Sequence, residues 1–253
     1  MNNHVNNHKN WFPYALTNPA SYLRLFCLPH AGGASVLFHP WTTFLPPSIE
    51  LYPVELPGHG ARGHEQALSR MRRLTQAIAE GMYPHLDKPF ALFGHSMGAL
   101  VCFELARLLR RAYDVSPRCL FVSAHRAPQL PDPDPTTYML SEEDLVRKLQ
   151  TLEGTPKEIL EQPDLLRMVL PNLRADFAVC DTYTYRAEAP LDCPIIALGG
   201  DSDPEISREQ LEGWHEQTSR VFQVHTFPGG HFYINTSRPA VLKLMTETME
   251  QML

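Results

Sequence analysis

The chain lacks the features of a secreted, membrane-embedded or nucleic-acid-binding protein. Its 253 residues include five cysteines without a C-x-x-C pair, and no apolar run approaches the roughly 18 residues that a membrane span needs. Residues 1–10 are rich in asparagine and histidine and lack the apolar centre of a signal peptide. The formal net charge of −6 provides no basic field for phosphates. We therefore expect a cytoplasmic protein with reduced, buried thiols that binds neither nucleic acid nor membrane.

A metal site is not indicated either, because the chain has no H-E-x-x-H motif and no tight cluster of histidines and carboxylates. Hydrophobic residues make up 43% of the chain and charged residues 20%, which permits a large core and argues against disorder. The length fits one α/β domain with an insertion. We assign residues 1–20 to a polar N-terminal extension and residues 21–253 to that domain.

The strongest local signal is a serine between two glycines. A short apolar run at residues 90–93 leads into Gly94-His-Ser-Met-Gly98, and an amphipathic run at residues 100–109 follows at once. A strand, a sharp turn with G-x-S-x-G and a helix are typical of the nucleophile elbow of α/β-hydrolases. The pattern predicts that the Ser96 hydroxyl is lifted above the sheet edge, where the start of the next helix faces any oxyanion.

A second loop follows the first predicted strand, at residues 23–28, and reads Pro29-His-Ala-Gly-Gly-Ala34. In α/β-hydrolases a glycine-rich loop at this place supplies one backbone N–H of the oxyanion hole, and the residue after the nucleophile supplies the other. The candidates are the backbone N–H groups of Ala31 and Met97. An ordinary strand-to-helix loop is the alternative, and the elbow favours the oxyanion role.

Strands and helices alternate in the first half of the chain. Strands are predicted at residues 23–28, 49–56, 90–93 and 119–123, and a helix at residues 69–83. This alternation predicts a mostly parallel sheet with helices on both faces.

The alternation stops after residue 123. Residues 124–190 contain no clear strand, and helices are predicted from Ser141 to about residue 153, from Thr155-Pro156, and over residues 163–183 with an interruption at Pro171. Because α/β-hydrolases carry a helical lid at this place, we expect a lid at about residues 126–190. Bulky apolar residues of this segment would either line a substrate tunnel or pack the lid onto the core: Leu149, Leu152, Leu166, Met168 and Phe177.

The last two predicted strands lie at residues 193–198 and 221–227, and two aspartates and a histidine follow them. The chain reads Gly199-Gly-Asp-Ser-Asp-Pro204 after one strand and Pro228-Gly-Gly-His231 after the next. A triad acid belongs at such a strand end, so Asp201 and Asp203 are both candidates. The spacing to the following proline favours Asp203, whereas Asp201 is better explained as a turn former or supporting acceptor.

Ser96, Asp203 and His231 occur in the order of α/β-hydrolase triads. A serine hydroxyl is a poor nucleophile until a base removes its proton, and a histidine can do so near neutral pH. The aspartate would hold the imidazole tautomer and stabilise the imidazolium. The elbow's own histidine, His95, is interpreted as a packing residue.

These stretches, with several others, resemble the type II thioesterases, the free-standing editing enzymes of polyketide and nonribosomal peptide synthesis. The resemblance extends from Leu25 to Leu253. The matching stretches are Phe26-Cys-Leu-Pro-His-Ala-Gly-Gly33, Val54-Glu-Leu-Pro-Gly-His-Gly60, Gly94-His-Ser-Met-Gly98, Ser123-Ala-His-Arg-Ala-Pro128, Leu152-Glu-Gly-Thr-Pro156, Leu170-Pro-Asn-Leu-Arg-Ala-Asp176, Pro194-Ile-Ile-Ala-Leu-Gly-Gly200 and Phe227-Pro-Gly-Gly-His-Phe232. The lid stretches are the specific ones, because the triad alone fits many hydrolases. The chain departs at Ala124-His125, where the family usually has Gly-Arg.

The resemblance implies an acyl group thioesterified to the phosphopantetheine arm of a carrier protein as substrate. It implies an acyl-enzyme on Ser96 and removal of short or aberrant acyl groups, or release of finished chains. No separate cofactor is implied, since the arm arrives on the carrier domain of a polyketide or nonribosomal peptide synthase. We expect the chain itself to be a monomer.

Two other functions stay open. One is a carboxylesterase, lipase or acyltransferase of the same fold, which turnover of a thioester against an oxygen ester would separate from a thioesterase. The other is a non-catalytic docking protein, which would leave Ser96 unlabelled by serine-directed reagents.

Overall fold

Six parallel strands form the centre of the molecule in the computed structural model, which describes residues 11–133, 136–152, 154 and 157–252. The strands are β1 Leu23–Leu28, β2 Ile49–Pro53, β3 Phe90–His95, β4 Leu120–Ser123, β5 Ile195–Gly200 and β6 Phe222–Phe227. Their order is β2-β1-β3-β4-β5-β6, and every neighbouring pair is parallel. β1 to β5 are buried throughout, as a sheet covered on both faces requires. The predicted α/β fold is confirmed.

Helices cover both faces of this sheet. The helices are α1 Met71–Met82, α2 Met97–Tyr113, α3 Glu142–Leu152, α4 Lys157–Leu160, α5 Pro163–Asp181, α6 Arg208–Glu212, α7 Tyr233–Thr236 and α8 Arg238–Glu250. Side chains of α1, α2 and α6 pack in the core on one face. Those of α8 and the 3-10 helix Ser35–Thr43 pack on the other.

The parallel order brings the functional loops together, because the carboxyl ends of all strands lie at one edge of the sheet. β1 and β3 are neighbours, and Leu28 pairs with Gly94 at their ends. Since β2 continues the sheet to one side and β4 to the other, the gap between β1 and β3 is the topological switch point where α/β sheets bind ligands. The loops with Ala31 and Ser96 begin there.

The segment between β4 and β5 contains α3, α4 and α5 and no strand among its described residues. Ser141 accepts the backbone N–H of Asp144 at 3.1 Å and so caps α3, as predicted. Five leucines of α3 and α5 form a separate apolar cluster: Leu145, Leu149, Leu166, Leu170 and Leu173. The predicted start of a helix at Thr155-Pro156 lies outside the described residues.

The predicted interruption at Pro171 is wrong, because α5 runs through it. Proline lacks an N–H and removes one helical hydrogen bond. Leu170 and Leu173 on either side of Pro171 both pack in the leucine cluster, and this burial holds the two halves of the helix in line.

The chain before β1 takes part in the core. Trp11 and Phe12 are buried, and Arg62 lies over the Trp11 ring with 3.9 Å between the guanidinium carbon and the ring centre. The assignment of residues 1–20 to a polar extension therefore does not describe residues 11 and 12. Two aromatic side chains in a polar context bury enough apolar area to hold this segment against α1.

Candidate active site

The turn after β3 has the geometry of a nucleophile elbow. Ser96 adopts φ 55° and ψ −121°, a region that non-glycine residues rarely occupy and that costs about 1–3 kcal/mol. A Cβ on Gly94 would overlap the carbonyl oxygen of Gly98, and one on Gly98 would overlap the carbonyl oxygen of Leu28. The two glycines are therefore needed for the close approach of β1, β3 and α2, which holds the serine in this conformation.

His231 and Asp203 meet across the ends of β5 and β6. The Nδ1 of His231 lies 2.9 Å from Oδ2 of Asp203, and the Asp203 side chain is fully buried. The other oxygen of this carboxylate accepts the backbone N–H groups of Glu205 at 2.9 Å and Ile206 at 3.3 Å. With the carboxylate held this way, Nδ1 of His231 carries the proton and Nε2 remains available as a base.

Asp201 has a different place. Its Oδ1 accepts the backbone N–H of Gly229 at 3.1 Å and the hydroxyl of Ser202 at 2.9 Å. It therefore ties the turn after β5 to the loop that carries His231, and Asp203 is the aspartate that contacts the imidazole. Both candidate acids lie at the predicted strand end, and the loop geometry agrees with the spacing that favoured Asp203.

The two proposed oxyanion donors border the same space as the serine. Ala31 and Met97 line a cavity of about 320 Å³ together with Ser96 and His231. Met97 is the first residue of α2, whose N-terminal N–H groups have no partner within the helix. The N–H of the next loop residue, Gly32, donates to Asp176 of α5 at 2.7 Å, which fixes the loop beside Ala31.

A second histidine–aspartate pair lies behind this loop. The Nε2 of His59 is 2.8 Å from Oδ2 of Asp176, and its Nδ1 is 3.1 Å from the carbonyl oxygen of Pro57. Burial lowers the pKa of His59, but the hydrogen bond and charge of Asp176 outweigh burial and raise it above its usual value. An oxygen lies at each ring nitrogen, and this arrangement favours the imidazolium form of His59 beside the buried Asp176 carboxylate.

Two further imidazoles are neutral. Burial lowers the pKa of His30 to about 4, and that of His95 falls well below its ordinary value for the same reason. The His95 ring lies 5.5 Å from the His231 ring, and its Nδ1 is 2.8 Å from the hydroxyl of Ser123. The interpretation of His95 as a packing residue agrees with this placement.

Two cavities meet at Ser96. The larger, of about 320 Å³, is lined by several charged side chains: Arg126, Asp132, Lys148, Asp181 and Glu205. The smaller, of about 60 Å³, is mostly apolar, and its walls include Leu149, Leu152, Gly154, Phe177 and Phe232. Ser96, Ala31, Phe177, Glu205 and His231 line both. Of the apolar lid residues singled out in the sequence, Leu149, Leu152 and Phe177 contact this space, whereas Leu166 packs in the leucine cluster and Met168 is 73% exposed.

The departure at Ala124-His125 lies at the end of β4, beside the larger cavity. Ala124 adopts φ 50°, a left-handed conformation that glycine takes at less cost. His125 is buried, and burial lowers its pKa to about 4, so the ring is neutral where the resembling family usually has an arginine.

Three features of the described residues bear on the possibilities of a metal site, a membrane span and disulfides. Among the described residues, no three or more histidine, cysteine, aspartate or glutamate side chains are grouped to hold a metal ion. No described helix is long and apolar enough to cross a bilayer. All five cysteines are free thiols, four of them buried and Cys180 half-buried.

Sequence reasoning did not single out His59, Asp176 or Glu205. His59 and Asp176 stand 117 residues apart, and no local periodicity pairs residues at such a distance. The one signal available was that both lie in stretches that resemble the type II thioesterases. Glu205 follows the proposed triad acid by two residues, without a motif of its own.

Comparison with known proteins identifies the family. A model of the thioesterase domain matches residues 23–248. The gramicidin S biosynthesis protein GrsT of Aneurinibacillus migulanus is 41% identical over 243 residues, which are 96% of this chain and 95% of that protein.

Solved structures agree with this result. The type II thioesterase BorB from the borrelidin biosynthetic cluster is 38% identical with a TM-score of 0.83, over 91% of this chain and 94% of that one. The type II thioesterase YbtT from the yersiniabactin NRPS/PKS biosynthetic pathway is 28% identical with a TM-score of 0.84, over 94% and 96%. The chain therefore belongs to the thioesterase family and is a type II thioesterase of α/β-hydrolase fold.

Proposed function

We propose that this enzyme hydrolyses acyl thioesters on the phosphopantetheine arm of a carrier protein, with Ser96, His231 and Asp203 as its catalytic triad. The observation that carries the proposal is the contact between Asp203 and Nδ1 of His231. This contact leaves Nε2 of His231 without the carboxylate, and the His231 side chain lines the same two cavities as Ser96. The relatives from peptide antibiotic and NRPS/PKS pathways support a carrier domain as partner.

In the first half-reaction, Nε2 of His231 removes the Ser96 proton as Oγ attacks the thioester carbonyl carbon. The carbonyl oxygen becomes an oxyanion, which the N–H groups of Met97 and Ala31 stabilise by hydrogen bonds. The carbon–sulfur bond then breaks, the arm leaves as a thiol with the proton from His231, and the acyl group remains on Ser96. Asp203 stabilises the imidazolium throughout.

In the second half-reaction, water replaces the thiol. His231 takes a proton from water as its oxygen attacks the acyl-enzyme carbonyl, and the same two N–H groups hold the oxyanion. The ester bond breaks, Ser96 regains its proton from His231, and the acid leaves. These steps need no separate cofactor, and they suit a cytoplasmic monomer that meets its substrate on a partner.

The test compares wild type with Ser96→Ala on a holo carrier protein loaded with an acetyl or propionyl group. The loss of acyl mass is followed by intact-protein mass spectrometry, with the same acyl group on a simple oxygen ester as comparison. We expect wild type to unload the carrier faster than it cleaves the oxygen ester. Ser96→Ala should lose activity by about 10³-fold or more because no nucleophile remains.

A loaded carrier together with a cleaved oxygen ester would refute the thioesterase proposal and favour a small-molecule esterase. Transfer of the acyl group to an acceptor other than water would favour an acyltransferase. Equal unloading by Ser96→Ala would remove Ser96 from the mechanism.

A further inference from the structure

Glu205 is an acidic side chain beside the proposed nucleophile that the reaction steps do not use. It lines both cavities that meet at Ser96 and is exposed to them. Its backbone N–H donates to Oδ1 of Asp203 at 2.9 Å, which holds its main chain next to the triad acid. The main chain of Glu205 therefore stays at a fixed place beside the space that a substrate must occupy, and its carboxylate is within reach of that space.

The proposed substrate has two unlike halves on either side of the reacting carbonyl. The phosphopantetheine arm is long, carries amides and ends in a phosphate, and the larger cavity with its charged and polar walls fits it. The acyl group is short and mostly apolar. The smaller cavity has room for about four water-sized groups, and its leucine and phenylalanine walls fit such a group.

The described lining of the smaller cavity contains a carboxylate and no basic side chain other than histidine. Among the described residues that line it, Glu205 is the one acidic side chain, and none is a lysine or an arginine. Its two histidines do not offset the charge of the Glu205 carboxylate. Burial lowers the pKa of His30 to about 4, so that ring is neutral, and the Asp203 carboxylate at 2.9 Å compensates any positive charge on His231. Arg126 and Lys148, the cations near the site, line the larger cavity instead.

We propose that Glu205 selects acyl groups by charge, disfavouring those that carry a carboxylate and favouring those that carry an ammonium group. This inference rests on the proposed function and names a determinant of its substrate range. The physical basis is Coulombic: an exposed carboxylate that lines the smaller cavity changes the relative stability of charged acyl groups bound there by about a few-fold. The binding of neutral acyl groups does not depend on this Coulombic interaction.

The experiment uses two pairs of carrier-bound substrates of matched shape. Malonyl and isovaleryl groups differ by a carboxylate in place of an isopropyl group, and β-alanyl and butyryl groups differ by an ammonium in place of a methyl group. The ratio kcat/KM of charged to neutral substrate is measured within each pair for wild type and Glu205→Gln. Glu216→Gln, a variant with the same change in net charge at an exposed position outside both cavities, is the control.

We expect Glu205→Gln to raise the malonyl to isovaleryl ratio by about fivefold and to lower the β-alanyl to butyryl ratio by about fivefold. Glu216→Gln should leave both ratios within about twofold because solvent and salt screen its distant charge. Opposite shifts for the two charge signs are a signature that a merely structural change would not produce.

Hydrolysis of the neutral substrates with unchanged ratios in Glu205→Gln would overturn the charge selection and leave the proposed function intact. Shifts of the same sign in both pairs would overturn it as well. If wild type unloads none of the four substrates, the proposed function fails, and charge selection fails with it.

Discussion

Two buried histidine–aspartate pairs of nearly equal length, both among the described residues, have different roles. In His231–Asp203 the second imidazole nitrogen is free of the carboxylate, in a side chain that borders the cavities at Ser96. In His59–Asp176 the second nitrogen faces the carbonyl oxygen of Pro57, so both ring nitrogens have a protein partner and neither is available to a substrate. Hence the contact between imidazole and carboxylate does not by itself mark a catalytic site. What decides is the environment of the other ring nitrogen.

The two pairs also differ in what they join. Asp203 and His231 stand at the ends of the neighbouring strands β5 and β6, whose hydrogen bonds position them. His59 and Asp176 join the loop after β2 to α5 of the lid segment, and Asp176 also accepts the N–H of Gly32 in the proposed oxyanion loop. The first pair is therefore held by the sheet, whereas the second holds other parts of the molecule together.

The largest expected effect is on catalysis, from breaking the first pair. Asp203→Asn should lower kcat by about 10⁴-fold, because an amide no longer selects the imidazole tautomer that leaves Nε2 free as a base. Steady-state kinetics on an acyl carrier protein measures this. The midpoint of urea unfolding should change little, since the asparagine oxygen can still accept the N–H groups of Glu205 and Ile206.

Asp201→Asn is the matched control for that variant, because Asp201 sits two residues away and contacts Gly229 rather than His231. Its kcat should stay within about tenfold of wild type. A loss of about 10⁴-fold in Asp201→Asn with an active Asp203→Asn would reverse the assignment of the triad acid.

Breaking the second pair should act on stability instead. Asp176→Asn removes the counter-charge of the buried His59, which must then lose its proton or stay charged without a partner, and such a change costs about 3–5 kcal/mol of unfolding free energy. Urea unfolding measures the loss, and kcat per folded molecule should stay within about tenfold of wild type. A loss of about 10⁴-fold in kcat at unchanged stability would show that His59–Asp176 takes part in catalysis, as His231–Asp203 is proposed to do.

The smallest expected effect is the pH dependence of stability that His59 contributes. Because Asp176 raises the pKa of His59, the folded state keeps the proton that the unfolded chain releases near its ordinary pKa of about 6.5. The contribution is fully present below that value and is lost as the pH rises through the raised pKa of the folded state. The urea midpoint of the wild type should therefore fall as the pH rises through the raised pKa of His59, which a series of unfolding curves at different pH values measures.

The Asp176→Asn variant is the reference for that pH series. Without the carboxylate, burial lowers the pKa of His59, and the Pro57 carbonyl and the Glu55 charge are the remaining influences that raise it, so the alkaline fall should shrink. If wild type and variant show the same fall, another group causes it, and His59 is not the imidazolium that its two oxygen partners indicate.

Some features of this protein follow from the sequence alone. Apolar runs that end in turn residues marked the strands, and β1 was predicted at its observed bounds of Leu23–Leu28. A parallel sheet puts all strand ends at one edge, so the loops with Ser96, Asp203 and His231 had to converge. Glycines that no other residue could replace at the elbow made the serine recognisable, because close backbone approach leaves a trace in residue type.

Other features were decided only by the tertiary structure, because they depend on contacts between residues far apart in the chain. The spacing to Pro204 favoured Asp203 over Asp201, but the contact of Asp203 with His231 and of Asp201 with Gly229 depends on the path of two loops. The pairing of His59 with Asp176 depends on how α5 lies over the β2 loop. Burial of Trp11 in a polar stretch, and the continuity of α5 through Pro171, depend on packing partners elsewhere. The local sequence pattern indicates which face of a helix or strand is apolar. The partner of a buried polar group, by contrast, is determined by the assembled fold.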